Sequence, residues 1–214
     1  MGKIGVLIPD RGDRPIFLKQ AISLLSKQTI IPAFMEIVDD PPLSHDIDIT
    51  YRYRLGCERL FKKGCDAVIF WESDDFYAEN YLETMTREWL KSEKPDIFGI
   101  GNTTYYHVTG KYFKINHPER ASAMSTMVTN KVLGISWPSD NYHYLDITLW
   151  QQLQGKTFIP SSPICLGIKH GIGMVGGGCH NSNSGHYTSF DKDGEYLKSI
   201  TGSEFEFYYN LKSA

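Results

Sequence analysis

The chain has 214 residues, 41% hydrophobic and 13% aromatic, enough apolar surface for a substantial core in one large domain. With 22 Lys and Arg against 25 Asp and Glu it has no basic surplus to call for nucleic acid, and no apolar run approaches the roughly 18 residues of a membrane helix. The four cysteines, Cys57, Cys65, Cys165 and Cys179, form no CxxC pair and follow no secretory signal, so they read as buried free thiols of a cytoplasmic protein.

Residues 3–9, KIGVLIP, form a short apolar run typical of a strand buried on both faces. A polar turn, DRGDRP, leads into IFLKQAISLLSKQT, where Phe17, Ala21, Leu24, Leu25 and Gln28 recur at helical spacing and Pro15 suits a first helical turn. FMEIVDDPP at 34–42 predicts a second strand ending in two aspartates and two prolines. From Ile49 to Lys63, Leu55, Leu60 and Phe61 suit a second helix weakened by Gly56, and AVIFW at 67–71 is a third strand.

Strand, helix, strand, helix, strand with apolar strands predicts an α/β fold: a mostly parallel, mixed central sheet flanked by helices, with ligands at the carboxyl ends of the strands. Asp10, Arg11, Asp39, Asp40, Glu72, Asp74 and Asp75 would then share one rim. A helix is expected around 78–92, strands or a hairpin through IFGIGNTTYYHVTGKYFKI, and a helix near 143–154 with Leu145, Leu149 and Leu153 buried and Asp146 beside them. The glycines of LGIKHGIGMVGGGCHN exclude an ordinary helix there. With no repeat or linker, 1–214 reads as one domain of two halves, 1–100 and 101–214.

The chemistry concentrates where AVIFW runs into ESDD. If the strand continued, Glu72 and Asp74 would project to one side and Asp75 would open the loop. Carboxylates this close repel one another unless a cation lies among them. A hard divalent cation, Mg²⁺ or Mn²⁺, takes oxygen ligands and leaves positions for phosphate oxygens and water. The plainer alternative is a solvated acidic loop.

The segments IPDRGDRPIFLKQAISLLSKQT, EIVDDPP, YRLGCERLFKKGCD and AVIFWESDDFYAENYLE, in that order over roughly the first 90 residues, resemble the nucleotide-sugar half of GT-A-type glycosyltransferases, especially family 2. The resemblance implies a metal-dependent transfer of a sugar from a nucleoside diphosphate sugar to a hydroxyl of a glycan, a small molecule or a modified nucleic acid. It implies a DxD-like motif with Asp74 on the metal and Glu72 or Asp75 beside it, Glu72 standing where the family more often has Asp. It also implies Asp39 near the nucleotide base, with Asp10 and Arg11 in the loop lining the pocket. HYLDITLW resembles the acceptor-half helix carrying the catalytic base, which makes Asp146 the candidate, although Leu145 replaces the usual preceding Glu. A late histidine on the same metal is expected, with His170 the better match and His180 the other.

The expected donor-binding set is therefore Pro9, Asp10, Arg11, Asp39, Arg54, Glu72, Ser73 and Lys169. The metal set is Asp74, Glu72, Asp75 and His170, holding Mn²⁺ or Mg²⁺. Trp137, Tyr142, Tyr144 and Trp150 are either sugar-stacking or core aromatics. Two alternatives stay open: a non-catalytic nucleotide- or glycan-binding module, and a nucleotidyltransferase.

Overall fold

The computed structural model describes residues 2–43, 47–142, 144–171, 181–183 and 185–211. Its larger sheet contains β1 (Ile4–Pro9), β2 (Phe34–Val38), β3 (Ala67–Phe70), β5 (Ile97–Ile100), β8 (Thr126–Thr129) and β9 (Gly155–Phe158), in the order β2-β1-β3-β8-β5-β9. β1 pairs in parallel with both β2 and β3, β5 pairs in parallel with β9, and β8 runs antiparallel to β3 and β5. A second sheet has the order β11-β7-β6-β10-β4, from β4 (Phe76–Tyr77), β6 (Asn102–His107), β7 (Lys111–Asn116), β10 (Cys165–Lys169) and β11 (Ser189–Phe190). The mostly parallel α/β arrangement matches expectation, and the second sheet is an addition to it.

Strand alternation divides the interior into two cores. Ile4, Val6, Ile8, Ala67, Ile69 and Trp71 face one side, where α1 (Pro15–Ser26) packs Phe17, Ala21 and Leu24 against them. Leu7, Val68 and Phe70 face the other, covered by Tyr53, Cys57 and Leu60 of α2 (Ile49–Lys62). The buried stripe of α2 differs from the sequence reading. It runs through Tyr53, Gly56, Cys57 and Leu60, while Leu55 and Phe61 are only half-buried. Gly56 is no defect in that stripe: a Cβ there would lie 2.3 Å from Leu7 Cδ1, so glycine permits close contact of helix and strand.

Several boundaries shift for identifiable reasons. β2 stops at Val38, whose carbonyl accepts from the Asp10 N–H and the Arg52 guanidinium, so the DDPP stretch lies beyond the ladder. α3 (Tyr81–Lys91) starts later than expected because Ala78 donates to the Ile164 carbonyl and Glu79 accepts from Thr29. α4 (Leu145–Gln152) is shorter than 143–154: its C-cap Leu153 is already extended, and His143 is outside the described residues. The hairpin expected after residue 97 is β6–β7, turning through Gly110 at φ 86°. α5 (Glu195–Thr201) and α6 (Phe205–Asn210) close the described chain.

Cys57, Cys65 and Cys165 are buried free thiols, as expected, and Cys179 lies outside the described residues. No described helix is long and apolar enough to cross a membrane.

Candidate functional site

The parallel register of β2, β1 and β3 brings their carboxyl ends to one rim, with Pro9 beside Val38 and Leu7 beside Phe70. Asp10 is buried there, accepting from the Gly12 N–H at 3.2 Å, and burial raises its carboxyl above the usual range. Arg11 pairs with Asp48 at 3.0 Å. Asp48 is clamped from its other side by Arg52, which donates from Nε at 3.1 Å and Nη2 at 2.8 Å, and both residues are 1% exposed. Burial would raise the Asp48 carboxyl, but the Arg52 and Arg11 interactions more than offset this and hold it below the usual range. Because Arg52 also donates to the Val38 and Asp40 carbonyls, one buried guanidinium fixes the loop after β2 against the start of α2. Asp39 is exposed at this rim, whereas Asp40 is taken by a bidentate pair with Arg59 at 2.7 and 2.8 Å.

The three neighbouring carboxylates do not extend a strand. β3 ends at Phe70, and Glu72 to Asp75 form a turn entering β4, so the expected alternation does not apply; Asp75 lies in the loop as expected and is the most enclosed of the three. One oxygen from each of Glu72, Asp74 and Asp75 lies within 4.8 Å of the others. Glu72 accepts from Tyr53 Oη at 3.0 Å, and its N–H donates to Tyr77 Oη at 2.8 Å. Asp75 Oδ1 accepts from the Ile168 N–H at 2.7 Å, while Oδ2 is buried with no hydrogen-bond partner. Asp74 Oδ2 meets both Arg14 Nη1 at 2.7 Å and His170 Nε2 at 2.9 Å.

β10 brings Lys169, its last residue, and His170, which follows it, to the carboxylates from the second sheet. His170 is buried and stacks on Phe17, ring centroids 4.3 Å apart, so helix α1 orients the imidazole. Lys169 lies over the Tyr105 ring at 5.1 Å. Burial opposes its charge, but Asp75, Tyr105, Glu72 and Asp74 outweigh this and raise the ammonium pKa.

The carboxyls diverge in response. Burial lifts Asp74, yet the His170 hydrogen bond and the Arg14 charge hold it well below the usual range. Glu72 is raised by burial and then by Asp74. Asp75 is raised well above the usual range by burial, with Lys169 offsetting only part of that and its acidic neighbours adding to it. Three carboxylates, one of them with a buried oxygen that has no hydrogen-bond partner, form a donor set that could hold a divalent cation.

Asp146 sits in the first turn of α4, its Oδ2 accepting from Arg120 Nη1 at 3.1 Å. Burial raises its carboxyl and Arg120 opposes the shift, giving a shielded base candidate. The structure therefore brings Glu72, Asp74, Asp75, Lys169 and His170 together, with Pro9, Asp10, Arg11, Asp39 and Ser73 on or beside the same rim. Arg54 instead pairs with Asp140 at 2.8 Å. Trp137 and Trp150 pack against a core cluster, while Tyr144 is exposed. His180 lies outside the described residues.

Sequence reasoning missed Arg14, Tyr53 and Tyr77. Tyr53 had a local signal, lying three residues before Gly56 on the buried stripe of α2. Nothing local marks Arg14, sixty residues from its carboxylate partner.

No protein-family model matches the chain, and no curated protein sequence does. Solved structures resemble it in fold. S. aureus TarS 1-349 in complex with UDP-GlcNAc matches with a TM-score of 0.55 and 14% identity, over 98% of this chain and 70% of that one. TarS 1-349 in complex with UDP matches with a TM-score of 0.52 and 13% identity, over 78% of this chain. The chain spans 60% of the length of that structure and 36% of the longer TarS structure, which matches at a TM-score of 0.53. The shared fold agrees with the GT-A type that the sequence resemblance implied.

Proposed function

We propose that the protein is a metal-dependent glycosyltransferase that moves a sugar from a nucleoside diphosphate sugar to a hydroxyl acceptor. The observation that carries this reading is the meeting of Glu72, Asp74 and Asp75 with His170 and Lys169 at the carboxyl ends of the parallel strands. The TarS complexes with UDP and UDP-GlcNAc support a nucleotide sugar as the donor class.

In this reading the rim loops hold the nucleotide, with Asp10 and Arg11 lining the pocket and Asp39 facing the base. Asp74, Glu72, Asp75 and His170 would hold Mn²⁺ or Mg²⁺, which when bound neutralises charge on the departing diphosphate. Lys169 adds a fixed positive charge beside that group, so part of the leaving-group stabilisation is built into β10. Asp146 accepts the proton of the attacking acceptor hydroxyl if the configuration inverts, and Arg120 favours the ionised form of its carboxyl against the effect of burial.

The test is donor hydrolysis across UDP-, GDP-, CMP- and dTDP-sugars, with and without Mn²⁺. Turnover of one donor that is lost in EDTA and in Asp74→Asn is the expected result. Nucleotide binding without turnover of any donor would make the protein a binding module, and pyrophosphate release from a nucleoside triphosphate would make it a nucleotidyltransferase.

A further inference from the structure

Among the described residues, three basic side chains face the carboxylate turn, and they differ in freedom. The His170 side chain is 0% exposed and held against Phe17. Lys169 is carried by a paired strand and lies over Tyr105. Arg14 is the most accessible of the three: it is the residue before Pro15 at the start of α1, and its side chain is 22% exposed. Its guanidinium reaches Asp74 at 2.7 Å, lies 5.8 Å from the centroid of the Phe17 ring, and has Asp13 nearby at 3.7 Å, itself 37% exposed. A second acidic neighbour lets the guanidinium move without losing all compensation.

A guanidinium on Asp74 repels any divalent cation approaching the same carboxylate, whichever oxygen that cation takes. The buried Asp75 Oδ2 has no hydrogen-bond partner, and the charge of Lys169 offsets only part of the cost of burying this carboxyl. Arriving diphosphate oxygens would offer a departing arginine a new partner, since a guanidinium binds phosphate as well as carboxylate.

We propose that Arg14 is a displaceable counter-ion: it occupies Asp74 until a divalent cation enters, then leaves and is taken up by the diphosphate. This rests on the metal–diphosphate reading of the site. By linkage, Arg14 makes binding of cation and nucleotide mutually reinforcing, because each relieves the cost that the other meets.

The test is Mn²⁺ titration of the full chain, with free Mn²⁺ read by electron paramagnetic resonance, with and without UDP. Arg14→Gln is expected to bind Mn²⁺ alone about tenfold tighter than wild type, the loss of one charged hydrogen-bond competitor. UDP should enhance Mn²⁺ affinity less in Arg14→Gln than in wild type. Unchanged or weaker Mn²⁺ binding in Arg14→Gln, or equal enhancement by UDP, would overturn the proposal.

Asp74→Asn separates this from the site reading. If Asp74→Asn abolishes Mn²⁺ binding while Arg14→Gln leaves it unchanged, the metal site stands and only the counter-ion role fails. If Mn²⁺ binding is indifferent to Asp74→Asn, both fail. Should Arg14→Gln not fold, phenylglyoxal labelling of Arg14 in wild type gives a second readout by peptide mass. Labelling should rise on adding Mn²⁺ and fall when UDP follows, and labelling unaffected by Mn²⁺ would overturn the proposal.

Discussion

Replacing Gly56 with alanine sets two effects against each other, and the structure decides which is larger. Within an isolated helix, alanine for glycine is favourable by about 1 kcal/mol. At this position, however, the new Cβ would lie 2.3 Å from Leu7 Cδ1, 2.5 Å from Leu7 Cγ and 3.0 Å from Val38 Cγ2. Leu7 is 0% exposed on β1, an interior strand of the larger sheet, in a buried cluster with Tyr53, Cys57, Leu60 and Phe70. Overpacking of this severity costs about 3 kcal/mol, the upper end of the usual range. The net expectation is destabilisation of about 2 kcal/mol, lowering Tm by roughly 4–8 °C in a chain of this size.

The assay is urea denaturation followed by tryptophan fluorescence. Leu7→Ala alone should cost about 2–5 kcal/mol. The double variant Leu7→Ala/Gly56→Ala should cost at least about 1 kcal/mol less than the sum of its parts, because the added methyl fills the vacated space. A Gly56→Ala protein as stable as wild type, or strictly additive costs, would refute the close-packing account.

Arg52→Met removes the guanidinium that Asp48 faces in the interior and should cost about 3–5 kcal/mol by urea denaturation. The Asp48 carboxyl is lowered on folding, so its stabilisation is full above its unfolded pKa and is lost as pH falls through the lowered folded value; Arg52→Met should shrink that acid-side loss. For Asp146 the direction is opposite: its raised carboxyl should set an acid limb of the transfer rate above the ordinary carboxylate range. Since Arg120 favours the ionised form, Arg120→Met should move that limb to higher pH, and an unmoved limb in a pH–rate profile would remove Asp146 as the base.

The local parts of the fold were legible because each rests on a pattern within a few residues. The run IGVLIP, the spacing of Phe17, Ala21, Leu24 and Leu25, and the run AVIF are sufficient to specify β1, α1 and β3. Turn geometry was not legible in this way. Strand alternation does not reveal that β3 stops at Phe70 and that Asp75 turns inward, because the cause is the Ile168 N–H of a strand ninety-three residues away. Gly56 was misread for a related reason. Its helix-breaking propensity is local, while the Leu7 contact that requires a missing side chain is tertiary. Asp74 and His170 were each visible as chemical types, but their respective neighbours Arg14 and Phe17 emerge only when α1 is laid against the carboxylate turn.

The same turn is also the covalent passage from one sheet to the other, since β3 belongs to the larger sheet and β4, after five intervening residues, to the smaller. Asp75 fastens it twice, with Oδ1 on β10 and its carbonyl accepting from Tyr208 Oη of α6. The carboxylate turn thus acts as a rivet through both sheets and the last described helix. A change in the register of one sheet against the other is transmitted to the carboxylates, and shortening the chain into α6 loosens the carboxylate turn more than 130 residues earlier in sequence.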